Sequence, residues 1–599
     1  MAFLAHILRR LFVFVAFLLP ASMRWRLLSW PYRQARVRQL AVLSNPLQTQ
    51  RTTLQQIVDA NRSTEFGRAH AFDRIQDVDA FRTRVPLRSY SELEPYIERH
   101  RRGESNVLVA GPLLGFAVSG GSRGRPKPLP VTRQSLRTWS QAEALLAREA
   151  LRMQPSVARG RCLHLLPSYR EQTSRSAVPM APMPVLAHGA GMGGAGLPDA
   201  LPHQLFCIES EQQRYYLVLR LALASRVSVL RAACPGTLII LAEYLELLGS
   251  ELLEDLASGR VQHLQSCPES VRQAVQLQRP DPARAARLQH RLSQRGRLEP
   301  TDVWPQLSLL VCATTGSSLV AANRLSDRFG NLAVMDPGYR AAEGIFTWSW
   351  REGEGGLPLL DGQFIEFLPA DDLSPTVSAT PIPISDLELG HRYTPVLTGF
   401  NGMYRYLMDD VVEVIHRRDD LPRLGMVGRA RFHVQLESGR LDEVEVAEAI
   451  GAAARSCDVV LTGYTAWLAQ PEPTTTTEGP SRRGWMARLL GRADDRDPEP
   501  RPLLSLAMEP SSALPAERAR KLLGAVEHEL CKHSEAYGRG RAAGELGKPC
   551  LVMLKSRTLA RARRRRLADG MSGAHAPVPV LCEDGWLVEH EDVELRVQS

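Results

Sequence analysis

Several chemistries are argued against by what this 599-residue chain does not contain. Its nine cysteines, at positions 162, 207, 234, 267, 312, 457, 531, 550 and 582, are odd in number and form no Cys-x-x-Cys pair. That distribution argues against a disulfide framework and a structural zinc site, and points to a reducing compartment, the cytoplasm. No Gly-x-x-x-x-Gly-Lys-Ser/Thr string occurs, so there is no Walker phosphate loop. The basic run from Arg561 to Arg566 has no interleaved aromatic residue. It reads as a solvated helix face, and no nucleic-acid partner is expected. Long apolar runs are also missing. The strongest, Leu11 to Leu19 (LFVFVAFLL), is about half of the ~20 residues that a membrane-spanning helix needs.

What that apolar stretch does is left open by the sequence. Arg9 and Arg10 precede it, Pro20-Ala21-Ser22 follows as a poor cleavage region, and Arg24 and Arg26 come next. A signal peptide, a monotopic anchor on the inner face of a membrane and a first helix packed on the body all fit residues 1–34. The rest is ordinary for a soluble globular protein, at 44% hydrophobic and 23% charged residues. Its length calls for two or three domains. The formal net charge of +9, from 74 basic and 65 acidic residues, is a modest bias toward anionic ligands.

Apolar spacing predicts helices over 35–62. Ser89 is placed to start a helix over Tyr90 to Arg99, and Thr132 to cap one from Arg133. Residues 140–205 are rich in Gly, Pro and Met and read as a long loop bordering a cleft, where substrate specificity would lie. Two amphipathic helices are expected between Glu211 and Leu256, the second opened by Pro235. A charged helical surface segment follows over 268–300, then a buried strand over Leu307 to Thr314. This alternation of strands and helices indicates an α/β body. Pro471 to Pro502 is dominated by Pro, Thr and alternating charge and reads as a disordered insertion.

Three strings carry chemistry. In the first, AVSGGSRGRPKPLPVT (117–132), Ser119, Gly120, Gly121 and Ser122 precede Pro126 and Lys127. Glycines let backbone N–H groups converge, serines add donors and the lysine adds a point charge, a combination suited to a polyphosphate. In the second, YRAAEG (339–344), Glu343 is the one acid, with Tyr339 four residues before it. Beside a phosphate loop such a carboxylate serves as a magnesium ligand, and the tyrosine can meet a purine. In the third, GHRYTPVLTGFNGMYRYLMDDVVEV (390–414), Asp409 and Asp410 lead into a strand. A carboxylate there can accept sugar hydroxyls. Taken singly, each string also reads as an exposed turn.

In order, and with the blocks NRSTEFGRAHAFDRI, VPLRSYSELEPYIERHRRGESNVL and QFIEFLP, the chain resembles the Gretchen Hagen family of acyl-acid amido synthetases, the auxin-conjugating type of adenylate-forming enzyme, in a bacterial form. The resemblance implies an α/β adenylate-forming fold with a large N-terminal domain over 35–427 and a small α+β C-terminal domain over 428–599. It implies ATP and magnesium, with Ser119, Gly120, Gly121, Ser122, Lys127, Tyr339, Ala342, Glu343 and Asp410 at the nucleotide. Lys127 and Glu343 would be catalytic, Glu343 would hold the metal, and Gly428, Arg429 and Arg431 would form a hinge. The implied reaction makes an acyl-AMP from a carboxylic acid and then an amide with an amino acid or other amine. A monomer is expected, with peripheral membrane contact through the N-terminus.

The sequence departs from the family pattern at chosen points. Gly121 replaces a threonine, Ala341 and Ala342 replace hydroxyl residues, Leu407 replaces an arginine and Asp409 a glycine, and the segment SGAHAPVPVL (572–581) lacks the family lysine. These departures keep two alternatives in play: a non-catalytic nucleotide- or acyl-binding member of the same family, and a thioester-forming ligase.

Overall fold

The computed structural model describes residues 33–598 except 120–126, 170–171, 175–177, 190–198, 277–278, 350–354, 371–379, 419–420, 430–432, 460, 470–500, 511–512, 556–557, 560, 563–580 and 583–592. The N-terminal apolar run, nearly all of the insertion, most of the basic run and all but the last residue of the lysine-free segment lie outside the described residues. The chain divides into two compact units, one running through Val427 and the next beginning at Gly428.

In the first unit, helices form at 33–43 and over Pro46–Asn61. Gln50 fixes the second of these to the strand Gln363–Pro369. Its amide donates to Leu360 O and Gln363 O at 2.8 Å each and accepts from Ile365 N–H at 2.7 Å. The expected starts occur where the caps stand. Ser89 opens Tyr90–Arg101, with its N–H donating to Glu92 at 2.8 Å, and Thr132 accepts from Ser135 N–H at 3.2 Å to open Arg133–Met153.

Among the described residues, three sheets build the body. Strands Arg161–Leu165, Val227–Ala232, Leu309–Val311 and Ala333–Met335 lie parallel in that order. A smaller mixed sheet contains the hairpin of Gly115–Ser119 and Lys127–Val131. A larger antiparallel sheet includes Gln363–Pro369, Arg392–Gly399, Asp410–Arg418 and Leu421–Arg429 as successive neighbours. Helices Glu211–Leu223 and Pro235–Ser258 pack leucines on the parallel sheet, among them Leu217, Leu221, Leu241, Leu245 and Leu252. Each such side chain contributes about 1.5–3 kcal/mol on burial.

Two expectations are corrected. Residues 140–205 are not one long loop. The helix Arg133–Met153 runs well into them, burying Ala142, Leu145, Leu146 and Ala150, and strands Arg161–Leu165 and Pro179–Ala181 and the helix Met183–Gly189 follow. The helical period there is clear, and the Gly/Met-rich composition beyond it masked it. Between the two leucine-rich helices the chain makes an interior strand, Val227–Ala232, buried along its whole length. Its Ser228 and Arg231 broke the apolar run by which a buried parallel strand is recognised.

The second unit is α+β. Strands Leu461–Ala469, Leu503–Pro510 and Cys550–Leu554 form the middle of a five-stranded sheet, edged by Leu581–Cys582 and Val593–Gln598. Helices Glu443–Ser456 and Ala516–His533 pack together beside it. The insertion joins neighbouring antiparallel strands, since Ala469 pairs with Leu503. Among the described residues no helix is long and apolar enough to cross a membrane.

Candidate active site

The hairpin is closed by the pair Ser119 and Lys127, and residues 120–126 between them, including Gly120, Gly121, Ser122 and Pro126, lie outside the described residues. Its second strand is at the sheet edge, which accommodates Pro128 and Pro130 without loss of a ladder hydrogen bond. Lys127 is the first residue of that strand. Its Nζ lies 5.1 Å from the centre of the Tyr90 ring and 4.0 Å from Asp409 Oδ2. Tyr90, at the start of its helix, donates its hydroxyl to Pro128 O at 3.2 Å and so ties helix and strand together beneath the lysine. Burial pushes the Tyr90 phenol well above its usual range, and the charges of Glu94, Glu98 and Glu343 add to that shift. Tyr90 carried no signal in the sequence beyond its place after a capping serine.

The second string forms a closed loop after the parallel sheet. Asp336 accepts from Thr314 N–H at 2.7 Å, Thr314 hydroxyl at 2.9 Å and Gly338 N–H at 2.8 Å. Gly338 has φ +86°, and a Cβ there would lie 2.6 Å from Thr347 O, so the turn demands glycine. Ala341 N–H donates to Gly344 O at 2.9 Å, and Phe346 N–H to Tyr339 O at 3.0 Å. Asn401 holds the loop from outside, donating to Glu343 O at 2.9 Å. Ala341 and Ala342, where hydroxyl residues were expected, pack partly buried on the hydrophobic core. Tyr339 is buried with its ring stacked on Phe346, centroids 4.4 Å apart, and its hydroxyl donates to Asp410 Oδ2 at 2.6 Å.

A sealed ionic triad anchors this loop. Arg340 donates to Glu143 Oε1 at 2.6 Å and to Ala142 O at 3.2 Å, and Arg231 grips both oxygens of Glu143 at 2.6 and 2.7 Å. Burial alone would raise the Glu143 pKa, but the charge and hydrogen bonds of Arg231, then Arg340, outweigh it and hold it at about 2. The triad joins the helix Arg133–Met153, the interior strand and the loop, and none of its members was singled out in the sequence.

Asp410 begins the strand Asp410–Arg418, and Asp409 precedes it. Leu407, at the expected arginine position, lies in the short strand Tyr406–Leu407 and donates its N–H to Arg88 O at 2.9 Å. Lys127, Asp409, Asp410 and Tyr339 are thus linked along the chain and by direct contacts, and Asn401 holds Glu343 through its backbone carbonyl. At the expected hinge, Gly428 and Arg429 end the strand Leu421–Arg429, while Arg431 lies outside the described residues. Among the described residues no three His, Cys, Asp or Glu side chains gather as an all-protein metal cage. A magnesium ion held by one or two carboxylates and by ligand phosphates requires no such cage.

The GH3 family N-terminal domain matches residues 36–334, and the GH3 family central domain matches 356–429. Lys127 falls in the first and the Asp409-Asp410 pair in the second, with the Tyr339–Glu343 loop between them. A probable indole-3-acetic acid-amido synthetase, GH3.12 of Oryza sativa subsp. japonica, is 26% identical over 450 residues, covering 68% of this chain and 73% of that protein. The indole-3-acetic acid-amido synthetase GH3.10 of Arabidopsis thaliana is 25% identical over 456 residues, covering 69% and 76%. Among solved structures, the AtGH3.15 acyl acid amido synthetase in complex with 2,4-DB superposes with a TM-score of 0.77 at 19% identity, over 94% of this chain and 96% of that one. At that identity the likeness establishes the shared fold. With two domain models of one family covering more than half of its length, the chain belongs to the GH3 family.

Proposed function

We propose that this chain is an ATP-dependent acyl-acid ligase that makes an acyl-AMP and then an amide. The observation that carries the reading is the meeting of Lys127 with Asp409, beside Asp410 and its Tyr339 partner, within domains whose relatives are named as amido synthetases. In the first step a carboxylate oxygen bonds to the α-phosphorus of ATP and the bond to pyrophosphate breaks. In the second, an amine nitrogen, from an amino acid in the simplest case, bonds to the acyl carbon, loses a proton and expels AMP.

Lys127 and the Ser119–Ser122 loop hold the phosphates, and catalysis is mainly positioning and charge stabilisation. Magnesium, when bound, neutralises phosphate charge, with Glu343 as its carboxylate. Asp410 is assigned to the ribose. Tyr339, buried against Phe346, orients Asp410 through its hydroxyl and keeps its ring in the core. The backbone at Ala342 is assigned to the nucleotide, and Gly428, Arg429 and Arg431 to the hinge between the two domains. We place the reaction in the cytoplasm, as a monomer, with membrane contact through the N-terminal segment.

ATP–pyrophosphate exchange and AMP release, measured across a broad panel of carboxylic acids with and without amino acids, test this reading. Acid-dependent AMP release is expected. ATP binding with neither activity at any enzyme concentration would assign the non-catalytic alternative, which Gly121, Ala341, Ala342 and Leu407 motivate. AMP release coupled to a thiol and not to an amine would assign the thioester-forming one.

A further inference from the structure

We propose that the first unit docks on an anionic phospholipid surface, through the outward face of the helix over 33–43 and an arginine cluster beside it. The inference rests on the membrane contact read above for the N-terminal segment and carries that contact onto the folded body. Residues 1–58 contain eight arginines and no lysine, aspartate or glutamate, so they supply +8 of the chain's formal net charge of +9. Four of these arginines, Arg9, Arg10, Arg24 and Arg26, flank the apolar run Leu11 to Leu19. Trp25, Trp30 and Tyr32 follow it, residue types that favour the headgroup level of a bilayer.

On the helix over 33–43, Arg33, Val37, Leu40 and Ala41 recur at helical spacing on one exposed face, while Gln39 and Leu43 turn inward. Val37 is 67% exposed and Leu40 39%. On the next helix Leu47 is 40% exposed, with Arg51 exposed one turn further on. Three of the eight large apolar side chains left exposed among the described residues thus fall between positions 37 and 47, which makes them a patch.

Beside this face, the helix Arg133–Met153 brings Arg148 and Arg152 close to Arg33 and Arg36. Arg36 and Arg152 share one buried carboxylate, Glu149, at 3.0 and 2.6 Å. Burial leads in lowering the Arg148 pKa; Glu149 opposes it, and the charges of Arg36, Arg33 and Arg152 add to it. Four guanidinium groups therefore gather around one carboxylate, and Arg148 Nε is buried with no hydrogen-bond partner among the described residues. Arg38, by contrast, is matched by Asp361 at 3.1 Å. Excess positive charge next to exposed apolar side chains suits phosphate headgroups above acyl chains. A second copy of this face would set like charge against like, and so would the N-terminal run folded back over it with its own flanking arginines.

Cosedimentation of the full chain with vesicles tests this, using phosphatidylcholine alone and phosphatidylcholine with phosphatidylserine, each at low and high salt. The wild type is expected to bind the phosphatidylserine vesicles at least about tenfold more tightly at low salt, and to lose that preference at high salt. Arg33→Gln with Arg148→Gln should weaken this binding about twentyfold, from about fivefold for each arginine. Val37→Ser with Leu40→Ser should weaken it about tenfold through lost apolar burial. A variant pair that binds as the wild type does overturns the docking role of this face and leaves the N-terminal contact standing. Equal wild-type binding to both vesicles overturns the choice of an anionic lipid. No binding to either overturns the proposal and the N-terminal contact together. Each variant is checked for cooperative thermal unfolding, and Arg33→Gln alone, at an exposed position, keeps the test in force if the double variant does not fold.

Discussion

Two ionic clusters lie close to the same loop and are built for opposite purposes. Glu143 with Arg231 and Arg340 is sealed, with carboxylate oxygens shared among guanidinium donors at 2.6–2.7 Å. Lys127 with Asp409 is loose at 4.0 Å and keeps some exposure. In the sealed cluster every charge is matched by hydrogen bonds that nothing else can replace, so it fixes geometry. In the loose one the two charges face each other at 4.0 Å, beyond hydrogen-bond distance, and a ligand with better geometry can take over the lysine. The contrast separates the group that positions the Tyr339–Glu343 loop from the group that meets a ligand.

The largest expected effect comes from breaking the sealed cluster. Glu143→Ala leaves Arg231 and Arg340 buried without their acid and is expected to cost about 3–5 kcal/mol in chemical denaturation, with folding yield falling accordingly. A loss under about 1 kcal/mol would mean that the triad is not the anchor described. Lys127→Ala, at the loose cluster, is expected to leave stability within about 1 kcal/mol of wild type. It should lower ATP affinity or pyrophosphate exchange about a hundredfold, as removal of a phosphate-stabilising group does. Equal damage to stability and to binding would erase the distinction between the clusters.

Acid titration sharpens it further. The Glu143 pKa is held at about 2, below its ordinary 4.5. The unfolded chain therefore binds more protons between those values, and the contribution of Glu143 is complete above about pH 4.5 and lost as pH falls toward 2. Wild-type stability should decline through that window, and Glu143→Gln should flatten this part of the decline. The smallest effect is expected for Tyr339→Phe, which removes the hydroxyl on Asp410. A cost of about 1 kcal/mol in stability is expected, together with a several-fold rise in KM for ATP and little change in kcat. A change confined to kcat would place Tyr339 in the chemical step.

How much was legible in the sequence depended on the range of the interaction. The caps at Ser89 and Thr132 are decided within three residues and stand where they were expected. The helices Glu211–Leu223 and Pro235–Ser258 likewise follow their apolar period and the proline at the start of the second. The strand Val227–Ala232 was not legible, because Arg231 is stabilised in the interior by Glu143 from a different element. The site divides in the same way. Of the proposed site residues, Lys127, Glu343 and Asp410 stand out by residue type and order and Asp409 as a departure from a glycine, whereas Tyr90, Asn401, Glu143 and Arg340 give no local signal.

The sequence by itself determined the family, the order of its three chemical strings, the local starts of helices and the points where those strings depart from the pattern. All of these are carried by neighbouring residues or by short spacings. Only the tertiary structure decided that Asp409 would sit against Lys127, that Tyr339 would spend its hydroxyl on Asp410, and that Glu143 would lock Arg340 beneath the loop. Each of these joins residues far apart in the chain, and each owes its strength to burial, which a residue acquires only when the sheets and helices close around it.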